Sequence, residues 1–79
     1  MSYTYILRCR DGTFYTGWTE DLEKRLQTHN EGRGSRYTRS RLPVELAYFE
    51  KHDSKREAMR RERAIKKMTR PQKERLMSG

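Results

Sequence analysis

Apolar, aromatic and β-branched residues gather in two short runs at the N-terminus, Tyr3–Cys9 and Thr13–Trp18, separated by Arg10-Asp11-Gly12. Asp-Gly between two β-prone runs is a strong hairpin signal, so the pattern predicts two antiparallel strands. The period then changes from two to 3.6. Thr19 is placed to cap a helix whose first turn carries Glu20 and Asp21, which complement the helix dipole. That helix is expected to end near Asn30, with Gly32 as its left-handed stop. Arg33–Arg41 has four arginines, no acid and two small breakers, and reads as a basic loop. Pro43 precedes a third strand, Val44–Glu50. Ser54 and Glu57 have the spacing of a capping box that opens a helix to about Met68. Thr69-Arg70-Pro71-Gln72 repeats that logic, with Pro in the first turn of a short last helix. The order ββαβαα implies an α+β domain. It would be a small three-stranded antiparallel sheet with an N-terminal hairpin, flanked by helices.

Several polar residues sit where these periods reserve an interior face. Leu22, Arg25, Leu26 and His29 fall at i, i+3, i+4 and i+7 of the first helix, the spacing of a core-facing stripe. Arg25 that snorkels and His29 at a fraying end is the competing reading. In the next helix Glu62 lies four residues after Ala58 and three before Ile65, so it points with the apolar stripe. An exposed pair with Lys66 would explain it at a few tenths of a kcal/mol, yet an inward carboxylate needs a partner or a cation. In the hairpin, a three-residue turn with Gly12 left-handed puts Tyr5 opposite Gly17 and Leu7 opposite Tyr15. Both phenols then share a face beside the small Gly17, with room for a substrate group. A two-residue turn would separate them.

Composition narrows the class of partner. Seventy-nine residues make one domain, 1–79, which buries only about 60% of its unfolded surface. With 19 Lys and Arg against 11 Asp and Glu the net charge is +8, which draws polyanions, nucleic acid foremost. The single cysteine, Cys9, excludes an internal disulfide and suits a reducing, cytoplasmic setting. No apolar run approaches the ~20 residues of a membrane span, and no secretory leader opens the chain, so no membrane association is expected.

Taken together these residues resemble the GIY-YIG nuclease superfamily, over nearly the whole chain from Tyr3 to about Met68. Tyr3-Thr4-Tyr5 stands for the first motif and Tyr15-Thr16-Gly17 for the second. Arg25 matches the helix arginine, His29 the His/Tyr position after it and Glu62 the metal-binding glutamate. The short frame looks like the stand-alone bacterial members of YhbQ/YazA type. Tyr3 replaces the motif glycine, Thr4 and Thr16 replace both central isoleucines, and Trp18 stands where some members have a lysine that serves as proton shuttle or phosphate contact.

The resemblance implies metal-dependent hydrolysis of DNA phosphodiester bonds, with Tyr5, Tyr15, Arg25, His29 and Glu62 catalytic and Gly17 structural. Glu62 would hold Mg²⁺ (or Mn²⁺), a hard cation that keeps several waters, and Arg25 would clamp phosphate oxygens through its planar fork. Tyr15, Tyr5 and His29 remain open as the base, His29 being the one that titrates nearest neutrality. Arg33, Arg36, Arg39 and Arg41, with Tyr37 available to stack, form the expected nucleic-acid grip. The length leaves no room for a targeting module. The expected substrate is therefore branched or single-stranded DNA in repair or processing, directed by DNA shape or by a targeting protein, with no small-molecule cofactor. The alternatives are a non-catalytic basic nucleic-acid-binding module and a ribosome-associated docking role.

Overall fold

A computed structural model describes residues 1–79. Strands β1 (Ser2–Arg8) and β2 (Phe14–Thr19) form the hairpin, and β3 (Glu45–His52) pairs on the other side of β1. The sheet is antiparallel throughout, in the order β2-β1-β3. Helices α1 (Leu22–Asn30) and α2 (Arg36–Arg39) lie between β2 and β3, and α3 (Lys55–Lys66) and α4 (Arg70–Ser78) follow. No helix is long and apolar enough to cross a membrane.

The hairpin has the three-residue turn. Cys9 N donates to Thr13 O at 2.8 Å, and Gly12 takes φ +85°, which only glycine adopts without strain. Asp11 accepts from both the amide and the hydroxyl of Thr13, at 3.1 and 2.6 Å, and so closes the turn on itself. Tyr5 therefore pairs with Gly17, and Leu7 with Tyr15.

Alternation divides the sheet into two packed faces. On one, Tyr5, Leu7 and Cys9 join Val44 in a buried cluster covered by Leu22 and Leu26 of α1. On the other, Thr4, Ile6 and Thr16 meet α3, whose Ala58 and Ile65 are wholly buried. Thr4 Oγ1 donates to the Ala58 carbonyl at 2.8 Å, which fixes α3 on β1 despite the polar side chain.

Several boundaries differ from the sequence reading. Asp21, not Thr19, caps α1: it accepts from Lys24 N at 3.1 Å, because Thr19 is still paired to Tyr3 as the last residue of β2. The Arg33–Arg41 segment is not wholly loop, since Ser35 accepts from Thr38 N and starts the four-residue α2. The third strand runs one residue later at its start and two at its end, and α3 stops at Lys66 rather than Met68. Ser54 and Thr69 cap α3 and α4 as expected.

Candidate active site at the Tyr5–Gly17 pair

The centre of the site is the buried phenol of Tyr5. Its ring stands on β1 directly over the backbone of Gly17, close enough that a Cβ on residue 17 would lie 2.5 Å from the hydroxyl oxygen. The space above Gly17, expected to admit a substrate group, is thus filled by Tyr5 itself. From α1, Arg25 Nε donates to this oxygen at 3.3 Å, and His29 Nε2 lies 3.0 Å from it. Arg25 and His29 are one helical turn apart on the same stripe, so one phenol can engage both.

Proton directions follow from the donor inventory. A guanidinium only donates, so Tyr5 accepts from Arg25. The direction of the Tyr5–His29 bond is set by which ring nitrogen carries the proton. Burial pushes the Tyr5 pKa up, against the hydrogen bond and charge of Arg25, which lower it.

His29 is fully buried, with its second nitrogen, Nδ1, 2.9 Å from Thr38 Oγ1. Burial, assisted by the Arg25 charge, holds its pKa down at about 4. This corrects the view of His29 as an easily titrated base or a fraying helix end, for the imidazole is neutral and both nitrogens are engaged. The unfolded chain binds a proton on this ring below about 6.5, which the fold refuses until about 4. Stability is therefore expected to fall with pH through that window, by about 2 kcal/mol between pH 7 and pH 5. Urea unfolding at the two values measures it, and His29→Gln should flatten the difference. Equal slopes in both proteins would contradict the assignment.

Tyr15 is the accessible phenol. It makes no side-chain hydrogen bond, and packs edge-on against His29 with centroids 5.3 Å apart. Glu62 lies on α3, which packs on the other face of the sheet. Its side chain is only 18% exposed, and its charge is among the causes that raise the Tyr5 pKa. It forms no hydrogen bond to the other four residues, and pairs instead with Lys66 at 3.4 Å. No cluster of three or more His, Cys, Asp or Glu side chains is present. A metal held here would take one hard carboxylate and complete its shell from water and substrate, the manner of binding that suits Mg²⁺.

The arginines of the 33–41 segment divide into two pairs. Arg33 is bound to Glu31, and Arg41 to Asp11 at 3.0 Å with a second bond to the Tyr37 carbonyl at 2.7 Å. Arg36 and Arg39 are exposed and carry no ion pair. The Tyr37 ring is not a free stacking platform, because the Arg41 guanidinium lies 3.9 Å over it and it stacks on Tyr15 at 6.0 Å.

Sequence reasoning missed four contributors. Asn30 clips α1 to the start of β3, donating to Val44 O at 3.0 Å and accepting from Val44 N at 2.8 Å. The Gly34 carbonyl accepts from Arg25 Nη2 at 3.2 Å, and its backbone lies flat on His29. Ser35 and Thr38 complete the polar shell. A Ser at a helix cap was a legible signal for Ser35; the others act through tertiary contacts.

Comparison with known proteins shows the family and the fold. The family model of the GIY-YIG catalytic domain matches residues 1–75. A UPF0213 protein of Clostridium perfringens is 58% identical over 79 residues, covering 100% of this chain and 85% of that one. A UPF0213 protein of Halobacterium salinarum is 53% identical over 76 residues, 96% of this chain and 99% of that one. The solution structure of a UPF0213 protein of Bacillus halodurans superposes with a TM-score of 0.63 at 46% identity, over 99% of this chain and 84% of that one. A solution structure from E. faecalis gives 0.65 at 44%, with the same coverage.

Proposed function

The chain belongs to the GIY-YIG catalytic-domain family, a family of nucleases, and on that premise we propose that it is a metal-dependent DNA endonuclease. It hydrolyses phosphodiester bonds in branched or single-stranded DNA, in repair or processing, within the cytoplasm. The observation that carries this reading is the convergence of Arg25 and His29 on Tyr5, with Tyr15 accessible beside them and Glu62 within electrostatic reach.

Each group has a task its surroundings permit. Arg25 spends two of its five N–H donors inside the fold and keeps the rest for a phosphate. It also lines an open cleft of about 180 Å³ with Thr19, Asp21, Lys24 and Thr28, where a backbone can lie. Tyr5, buried and hydrogen-bonded to both His29 and Arg25, holds Arg25 rather than activating water. Tyr15, whose hydroxyl has no hydrogen-bond partner in the protein, is left to take the proton of the attacking water. Glu62 would hold Mg²⁺ or Mn²⁺, which when bound polarises the phosphate and offsets charge on the leaving oxygen. Arg36 and Arg39, unpaired at the rim, draw the strand in, with a salt-sensitive affinity.

The test is incubation of the purified chain with splayed-arm and single-stranded DNA. Cleavage is expected with Mg²⁺ or Mn²⁺ and is lost on chelation. Salt-sensitive binding with no cleavage of any of these substrates would leave the binding-module reading in its place.

A further inference from the structure

The inner side of α2 carries no basic residue, and its one buried side chain, Thr38, bears directly on His29. Thr38 is completely buried, with Oγ1 2.9 Å from His29 Nδ1 and 3.0 Å from Ser35 Oγ. Its hydroxyl also lies 3.4 Å from the Ser35 carbonyl, an acceptor. The chain of donors can be followed through without a break. Arg25 donates to Tyr5, Tyr5 to His29 Nε2, and the proton of the neutral ring then sits on Nδ1 and is donated to Thr38, whose own hydrogen goes to Ser35. The opposite tautomer would have Nε2 donate to Tyr5. The buried Tyr5 hydrogen would then be without an acceptor, at a cost of about 1–3 kcal/mol.

We propose that Thr38, held by Ser35, is a positioning residue that accepts from Nδ1–H of His29 and so holds the ring where it orients the Tyr5 hydroxyl and Arg25. Thr38 meets no substrate. It acts through the imidazole as an outer-shell partner acts on a metal-bound histidine, fixing the orientation of the ring. The segment that bears the exposed Arg36 and Arg39 on one side thus holds the imidazole of the site from the other. The same short helix couples the rim to the relay.

Long-range ¹H–¹⁵N spectra of the two imidazoles near neutral pH test this. His29 of the wild type should give a protonated Nδ1 and a bare Nε2. Thr38→Val, similar in shape but without the hydroxyl, leaves Nδ1–H without an acceptor and should move its proton resonance upfield, and Thr38→Ser should keep the wild-type position. The kinetic arm rests on the nuclease reading: Thr38→Val is expected to lose roughly tenfold or more in kcat with little change in KM, and Thr38→Ser to recover most of it. A wild-type His29 protonated on Nε2 overturns the proposal, and needs no variant to fold. So does a folded Thr38→Val protein whose Nδ1–H resonance stays at the wild-type position. A displaced Nδ1–H resonance in that variant, with a wild-type chain that cuts no DNA, supports the positioning role and rejects the nuclease reading instead.

Discussion

Replacing Glu62 by glutamine is expected to lower the rate of DNA cleavage by about 10³-fold while leaving the melting temperature almost unchanged. The rate loss follows because a neutral amide is a poor ligand for a hard cation. A metal supplies several kcal/mol of transition-state stabilisation, at about 1.4 kcal/mol per tenfold. The fold is indifferent because the only contact Glu62 makes with a charged group is its i, i+4 pair with Lys66, worth a few tenths of a kcal/mol. Activity and stability should therefore separate, which a purely structural glutamate would not allow. Lys66 gives the complementary test. It competes for the same carboxylate, so Lys66→Gln should reduce the metal concentration for half-maximal rate by about twofold, for a pair worth a few tenths of a kcal/mol. Cleavage by Glu62→Gln at the wild-type rate would remove this residue from the site.

The parts of the molecule legible from sequence are those decided by neighbours along the chain. Asp11-Gly12-Thr13 forms its own turn, so the register of β1 on β2, and with it the Tyr5–Gly17 pair, can be read to the residue. Ser54 and Thr69 are caps for the same local reason. Thr19 and Asp21 show where this stops. Each is a good capping residue, and the choice depends on how far β2 stays paired to β1, which no local pattern records. The helix α2 is four residues long, too short for a period to be seen, and Gly34 just before it reads as a breaker. The same limit governs the site. The spacing of Arg25 and His29 shows that both face inward, but not what they face. That depends on Thr38 and Gly34, which reach them only after the chain has folded back. His29 consequently looks like a base in the sequence and is a buried, doubly bonded neutral ring in the structure.

Gly34→Ala is expected to be the most destabilising of the five glycine-to-alanine changes this chain allows. A Cβ there would lie 2.1 Å from His29 Nδ1, 2.4 Å from Cγ and 2.6 Å from Cε1, on the ring itself rather than on a flexible tip. The ring cannot retreat, since it is wholly buried and held by Tyr5 on one nitrogen and Thr38 on the other. Forcing atoms into a packed site costs about 1–3 kcal/mol, occasionally more, and here the shift also breaks the polar relay, adding about 1–3 kcal/mol for a buried group left unpaired. Such a sum rivals the ~5 kcal/mol at the low end of domain stability, so the variant should be largely unfolded or loosened at growth temperature. Gly12→Ala and Gly32→Ala separate space from backbone conformation. Both residues have positive φ, +85° and +82°, and neither Cβ would meet another atom within 4 Å. Each should cost only about 1–2 kcal/mol, the strain of a left-handed alanine. Gly34 has no such φ, so its requirement is contact alone. Urea midpoints that rank Gly34→Ala level with or milder than Gly12→Ala would mean that His29 is free to move, and that the relay through Thr38 is looser than its distances imply.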